Sequence, residues 1–66
     1  AKNFDFSRLS KVDLAILRLA SWEILHLPDL DNAISINEAI ELARSFSGED
    51  AASFVNGILD QIAKAS

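Results

Sequence analysis

Apolar residues recur along this chain at helical spacing in three blocks, separated by residues that cap or break helices. Ser10-Lys11-Val12-Asp13 has the form of a capping box, with aspartate where glutamate is more usual, and predicts a helix over about 11–26. Pro28 stops it, because the residue before a proline disfavours helical geometry. Residues 27–34 then read as a loop. Ser35-Ile36-Asn37-Glu38 is a full capping box and predicts a second helix running to about Phe46. Ser47-Gly48-Glu49-Asp50 breaks the pattern, and its two acids suit the positive end of a third helix over about 51–64. Residues 1–9 read as a lead-in segment, and no repeat or low-complexity run is present.

The helix faces carry more information than the boundaries. On a helical wheel the second helix places Ile36, Ala39, Ile40, Leu42, Ala43 and Phe46 on one side, with Asn37, Glu38, Glu41, Arg44 and Ser45 opposite. The third is similar, with Phe54, Val55, Ile58, Leu59 and Ile62 expected inward and Ser53, Asn56 and Asp60 outward. The first helix differs. Val12, Ala15, Ile16, Leu19 and Trp22 cover one side, while Leu14, Leu17, Ile24 and Leu25 cover much of the rest. A helix that is apolar nearly all round needs neighbours on every side, and two short helices cannot supply them. The expected fold is therefore all-α, a three-helix part of a larger bundle that needs a partner or self-association. At low concentration the isolated piece is expected to be a homodimer or poorly folded.

Composition sharpens this reading. Sixty-six residues form at most one small domain, and domains of that size usually add disulfides, a metal or a partner. Cysteine is absent and His26 is the single histidine, so neither disulfides nor a metal site is expected, and no cofactor. Half of the residues are hydrophobic, and ten acidic residues against six basic ones give a net charge of −4. Lys2, Arg8, Lys11, Arg18, Arg44 and Lys64 are scattered, with no cluster to follow a phosphate backbone. The longest apolar stretch, residues 12–25, is interrupted by Asp13, Arg18 and Glu23, so no membrane span is expected and a cytoplasmic location follows. The start at Ala1 points to processing or truncation.

Catalysis is not expected. A nucleophile needs an adjacent base and an oxyanion donor, whereas the serines here fall at caps or on polar faces, far in sequence from His26. The acid pairs Asp29 with Asp31 and Glu49 with Asp50 have ordinary reasons to exist in a loop after proline and at a helix start. No glycine-rich nucleotide loop or zinc spacing is present. His26 suits the negative end of the first helix. Trp22 is expected in the core beside Leu19. Phe54 has two readings, core packing or stacking on a nucleic-acid base. Gly57, costly inside a helix, suggests close approach of a neighbouring helix or of a partner's backbone. Asn56 beside it suits a bond to a loop or to a partner.

Three ordered segments carry a resemblance. Residues 10–20 (Ser-Lys-Val-Asp-Leu-Ala-Ile-Leu-Arg-Leu-Ala), 36–43 (Ile-Asn-Glu-Ala-Ile-Glu-Leu-Ala) and 54–60 (Phe-Val-Asn-Gly-Ile-Leu-Asp) resemble the C-terminal signature of the NusB family of bacterial transcription antitermination factors. The resemblance extends over about residues 8–64 and makes residues 10–66 look like the C-terminal helical half of such a domain. It implies an all-helical domain about twice this length, with the first helix at its centre. The runner-up is the NusB-like domain of ribosomal-RNA cytosine methyltransferases, which tends toward Phe-Val-Asn-Ala followed by arginines; here Gly57, Asp60 and Gln61 follow instead. An unrelated helical dimerisation fragment is the remaining alternative.

What the resemblance implies is concrete. Family members bind the boxA element of nascent RNA together with NusE, a ribosomal protein, and help RNA polymerase read through terminators. The family's basic RNA-binding arm is N-terminal, so RNA binding by this chain alone is expected to be weak. Asp13 matches a position implicated in the NusE interface. Glu49 and Asp50 with Phe54 match the edge that faces RNA, where Phe54 stacks on a base and Asp50 limits affinity by repelling phosphate. Each has a plainer role beside it: Asp13 as a cap, Asp50 as a helix-end charge, Phe54 as core. Family members often carry a basic residue immediately before the Phe-Val-Asn-Gly run; Ser53 stands there here, which weakens RNA contact at this edge.

Overall fold

The computed structural model describes residues 9–65, and these form three helices, α1 (Lys11–His26), α2 (Asn32–Ser47) and α3 (Glu49–Ala65). The lead-in expected over residues 1–9 lies, Leu9 apart, outside the described residues. α1 begins and ends where the sequence predicts. Ser10 is its N-cap, and both halves of the capping box form with Asp13. Leu27 closes the helix through its N–H to the Glu23 carbonyl, and Pro28 follows in the turn.

α2 starts a turn earlier than its sequence predicts. Asp31, not Ser35, is the N-cap, and its carboxylate accepts from the Ala33 N–H at 2.9 Å. The expected loop over 27–34 shortens to the turn between α1 and Asp31, closed by the Leu30 N–H on the Leu27 carbonyl. The reason is local: Asp31 is an equally good cap, and nothing in Asn32-Ala33-Ile34 opposes helix. Ser35 is carried into the helix and buried. α3 likewise begins at Glu49 rather than about Ala51, because a single residue, Gly48, separates it from α2. Gly48 has φ 96°, the left-handed region that glycine enters without steric cost. A Cβ there would meet no atom within 4 Å, so the requirement for glycine is conformational.

The packing reverses part of the face assignment. α1 buries Asp13, Ile16, Leu17, Ala20 and Ile24, while Val12, Leu19 and Trp22 point to the surface. Trp22, expected in the core, is 52% exposed and lies instead beside His26, ring centroids 5.3 Å apart. On α2 the buried row is Ser35, Ala39 and Ala43, and the expected inward residues Leu42 and Phe46 are exposed. α3 agrees with its pattern. Val55, Ile58 and Leu59 are buried, and Phe54 and Ile62 pack half-buried against them. The inward rows of α1 and α2 contain small residues, which let three helices share one thin core. Larger side chains turned inward would hold the axes apart.

The core is small, and apolar surface remains outside it, including Val12, Leu19, Trp22, Leu25 and Phe46. The thinnest extent is 16 Å, and among the described residues α1 leaves Val12, Leu19, Trp22 and Leu25 exposed. Leu59 is fully buried and Phe46 is 69% exposed. Leu59→Ala is therefore expected to cost about 2–5 kcal/mol, comparable with the whole stability of a domain this small, and to abolish cooperative melting. Phe46→Ala is expected to change stability by less than about 0.5 kcal/mol. Urea unfolding followed by circular dichroism checks both.

Candidate functional site

The start of α1, the end of α2 and the start of α3 are linked by polar side chains, and three of the four sequence-predicted site residues lie at this corner. Asp13 sits in the first turn of α1 and is 3% exposed. Its Oδ2 accepts from the Ser10 N–H at 3.2 Å, and its own N–H donates to Ser10 Oγ at 3.1 Å. Its Oδ1 accepts from Ser47 Oγ at 2.9 Å. A buried carboxylate is costly unless its oxygens are hydrogen-bonded, and here both are. The second bond joins α1 to the last residue of α2.

Beyond Ser47 the chain turns through Gly48, whose N–H donates to the Arg44 carbonyl at 3.0 Å and whose carbonyl accepts from the Ala52 N–H at 3.1 Å. Gly48 so closes one helix and opens the next. Glu49 and Asp50 are exposed on the first turn of α3, where backbone N–H groups present a partial positive charge. Arg44 spans the junction. Its Nε donates to Glu49 Oε1 at 2.6 Å and its Nη1 to Glu41 Oε1 at 2.5 Å. Those two bonds, Glu49 first, raise the guanidinium above its ordinary range. Phe54 falls one turn after Asp50 on α3 and is half-buried against the core margin.

Asp13, Glu49 and Asp50 are therefore brought to one corner of the molecule, and Phe54 follows along the same helix. Sequence reasoning missed Ser47, whose partner is 34 residues away, and it placed Arg44 merely on a polar face. The Glu41–Arg44 pair has legible helical spacing, whereas the Arg44–Glu49 pair depends on the one-residue turn between helices. Asp31 of the loop acid pair is accounted for as the α2 cap. Among the described residues, no group of three or more His, Cys, Asp or Glu side chains is placed to hold a metal ion, and no helix is long and apolar enough to cross a membrane.

A second feature is an open apolar cleft of about 320 Å³ between α1 and α2, lined by Val12, Ala15, Leu19 and Leu42 with Glu23 and Glu38 also on its wall. Ser35 lines it too, 2% exposed and with no hydrogen-bond partner for its hydroxyl among the described residues.

The sequence matches the NusB family over residues 1–64. It is 53% identical over 64 residues to the transcription antitermination protein NusB of Acetivibrio thermocellus, covering 97% of this chain and 44% of that protein. It is 56% identical over 63 residues to the protein of the same name from Natranaerobius thermophilus, covering 96% and 45%. For the NusB protein of Geotalea daltonii the identity is 52% over 63 residues, covering 96% and 43%. The chain thus spans less than half the length of the curated relatives it matches. No solved structure matches it.

The two bonds through Asp13 give a stability test. Asp13→Ala leaves the Ser10 N–H and the Ser47 hydroxyl without their acceptor and is expected to cost about 1–3 kcal/mol. Ser47→Ala leaves the capping box intact but strips the buried Oδ1 of its donor, and is expected to cost at least as much. Thermal melts of the two variants check the order.

Proposed function

This chain belongs to the NusB family, and on that premise we propose that it acts in transcription antitermination as a binding module with no chemistry of its own. It meets a NusE-type ribosomal protein through one surface and boxA RNA through another, in the cytoplasm. The observation that carries this reading is the family match over residues 1–64, which takes in all three helices nearly entire.

The local geometry supports the division of surfaces. Phe54 and Asp50 share one face of α3 at a spacing of one turn, a suitable arrangement for a ring that stacks on a base beside an acid that repels phosphate. Glu49 and Asp50 are exposed, so their charges bear on a polyanion that approaches α3. Asp13 belongs to the surface for the protein partner. Its side chain is buried, so it acts there through its charge and through the cap it orders at the start of α1. The described residues offer no basic track along the RNA edge, which agrees with RNA affinity being weak for this chain by itself.

Calorimetric titration of a NusE-type protein into the chain, with and without a boxA oligonucleotide, tests the proposal. Binding of the protein, with little added by RNA, is the expected outcome; a folded chain that binds neither overturns it. Asp13→Asn is expected to weaken the protein complex while shifting the melting temperature little, and equal losses assign Asp13 to the cap alone. Phe54→Ala is expected to weaken RNA binding by about 1–3 kcal/mol, the usual worth of one base stacked on an aromatic ring. Asp50→Asn should strengthen it.

A further inference from the structure

We propose that Arg44 is a positioning residue for RNA binding: by holding Glu49 in an ion pair across the α2–α3 junction, it leaves Asp50 as the acid at the start of α3 with no cationic partner, without itself touching RNA. This rests on the reading of α3 as the RNA-facing edge.

Three exposed acids surround the junction, Glu41, Glu49 and Asp50, against one exposed cation, Arg44, with Asp13 buried behind them. The guanidinium engages two of them at once, through Nε to Glu49 and Nη1 to Glu41, in the fork geometry that a lysine cannot supply. The Asp50 carboxylate has no hydrogen-bond or ion-pair partner among the described residues. The backbone ties Arg44 to the same place, since its carbonyl accepts from the Gly48 N–H at the turn. Arg44 therefore closes α2 with its main chain and secures the first residue of α3 with its side chain. The main-chain bond is one any residue would supply; the charge presented at the start of α3 depends on the Arg44 side chain.

The charge arithmetic makes this testable. The exposed side chains of the junction carry three negative charges and one positive, a balance of −2. Arg44→Gln changes it to −3, Glu49→Gln to −1, and the double variant returns it to −2. One unit charge within about 10 Å of a phosphate, acting through water, changes affinity by about two- to fivefold.

The experiment is fluorescence anisotropy with a single-stranded RNA carrying boxA, using the full chain in complex with the NusE-type protein, at about 50 and 200 mM salt. Arg44→Gln is expected to bind about two- to fivefold more weakly than the parent, Glu49→Gln about as much more tightly, and the double variant within about twofold of the parent. All differences should shrink at the higher salt. A merely structural loss would lower the melting temperature of Arg44→Gln and would not be rescued by Glu49→Gln. A double variant as weak as Arg44→Gln overturns the inference, because it means that Arg44 contacts RNA directly. Arg44→Gln binding like the parent overturns it as well. In the free chain, the Arg44 Nε–H resonance is expected to move on Glu49→Gln; an unmoved resonance denies the ion pair. A parent complex that binds no RNA defeats the boxA reading itself, and the inference falls with it.

Discussion

The row Ser35, Ala39, Ala43 and Ser47, one residue per turn along α2, is the constraint from which the rest of the structure follows. Ser35, Ala39 and Ala43 are at most 3% exposed, and together they let α1 and α3 approach the α2 backbone closely. At the far end of the row Ser47 bonds to Asp13. α3 answers with small residues of its own, Ala51 and Ala52, before its larger core side chains Val55, Ile58 and Leu59. Close approach favours dispersion contact between neighbouring helices, but small side chains remove little area from water. Such a core is well packed and thin.

Two consequences lead toward function. Turning the small row inward turns Leu42 and Phe46 outward, and the matching register of α1 exposes Val12, Leu19 and Trp22. The apolar cleft between α1 and α2 is the result, with the hydroxyl of Ser35 buried on its wall. The other consequence is at the opposite end of α2. Because Ser47 reaches Asp13 and Gly48 alone separates the helices, the cap of α1 and the acidic start of α3 share one corner. The Ser47–Asp13 and Arg44–Glu49 bonds join the two sides of that corner, in addition to the core the helices share.

Local features were legible in the sequence and long-range ones were not. The Ser10–Asp13 capping box and the stop at Pro28 are short-range chemistry, and α1 has the limits they predict. The second capping box misled, because Ser35 and Glu38 have the right spacing while Asp31, four residues earlier, captures the helix start first. Hydrophobic periodicity identified the inward face of α3, whose apolar residues form one stripe. It failed on α1, where apolar residues cover most of the surface and the choice of face rests on which side carries Ala20. On α2 it was right for Ala39 and Ala43 and wrong for Leu42 and Phe46, because size, not hydrophobicity, selects Ala43 over Phe46. Of the site, Asp13, Glu49, Asp50 and Phe54 were visible through a family resemblance. Ser47 and the Arg44–Glu49 pair were not, since both depend on how the helices are set against one another.

The most direct test of the small-residue row is to enlarge it at its centre. Ala43 is completely buried and Ala33, on the same helix, is exposed. Urea unfolding of Ala43→Leu and Ala33→Leu compares the two positions with similar helix propensity and equal added volume. The account predicts a loss of about 1–3 kcal/mol, or loss of the cooperative transition, for Ala43→Leu, and a change under about 0.5 kcal/mol for Ala33→Leu. Ala43→Leu as stable as the parent would contradict it, because the helices would then not be held together by the close approach that this row permits.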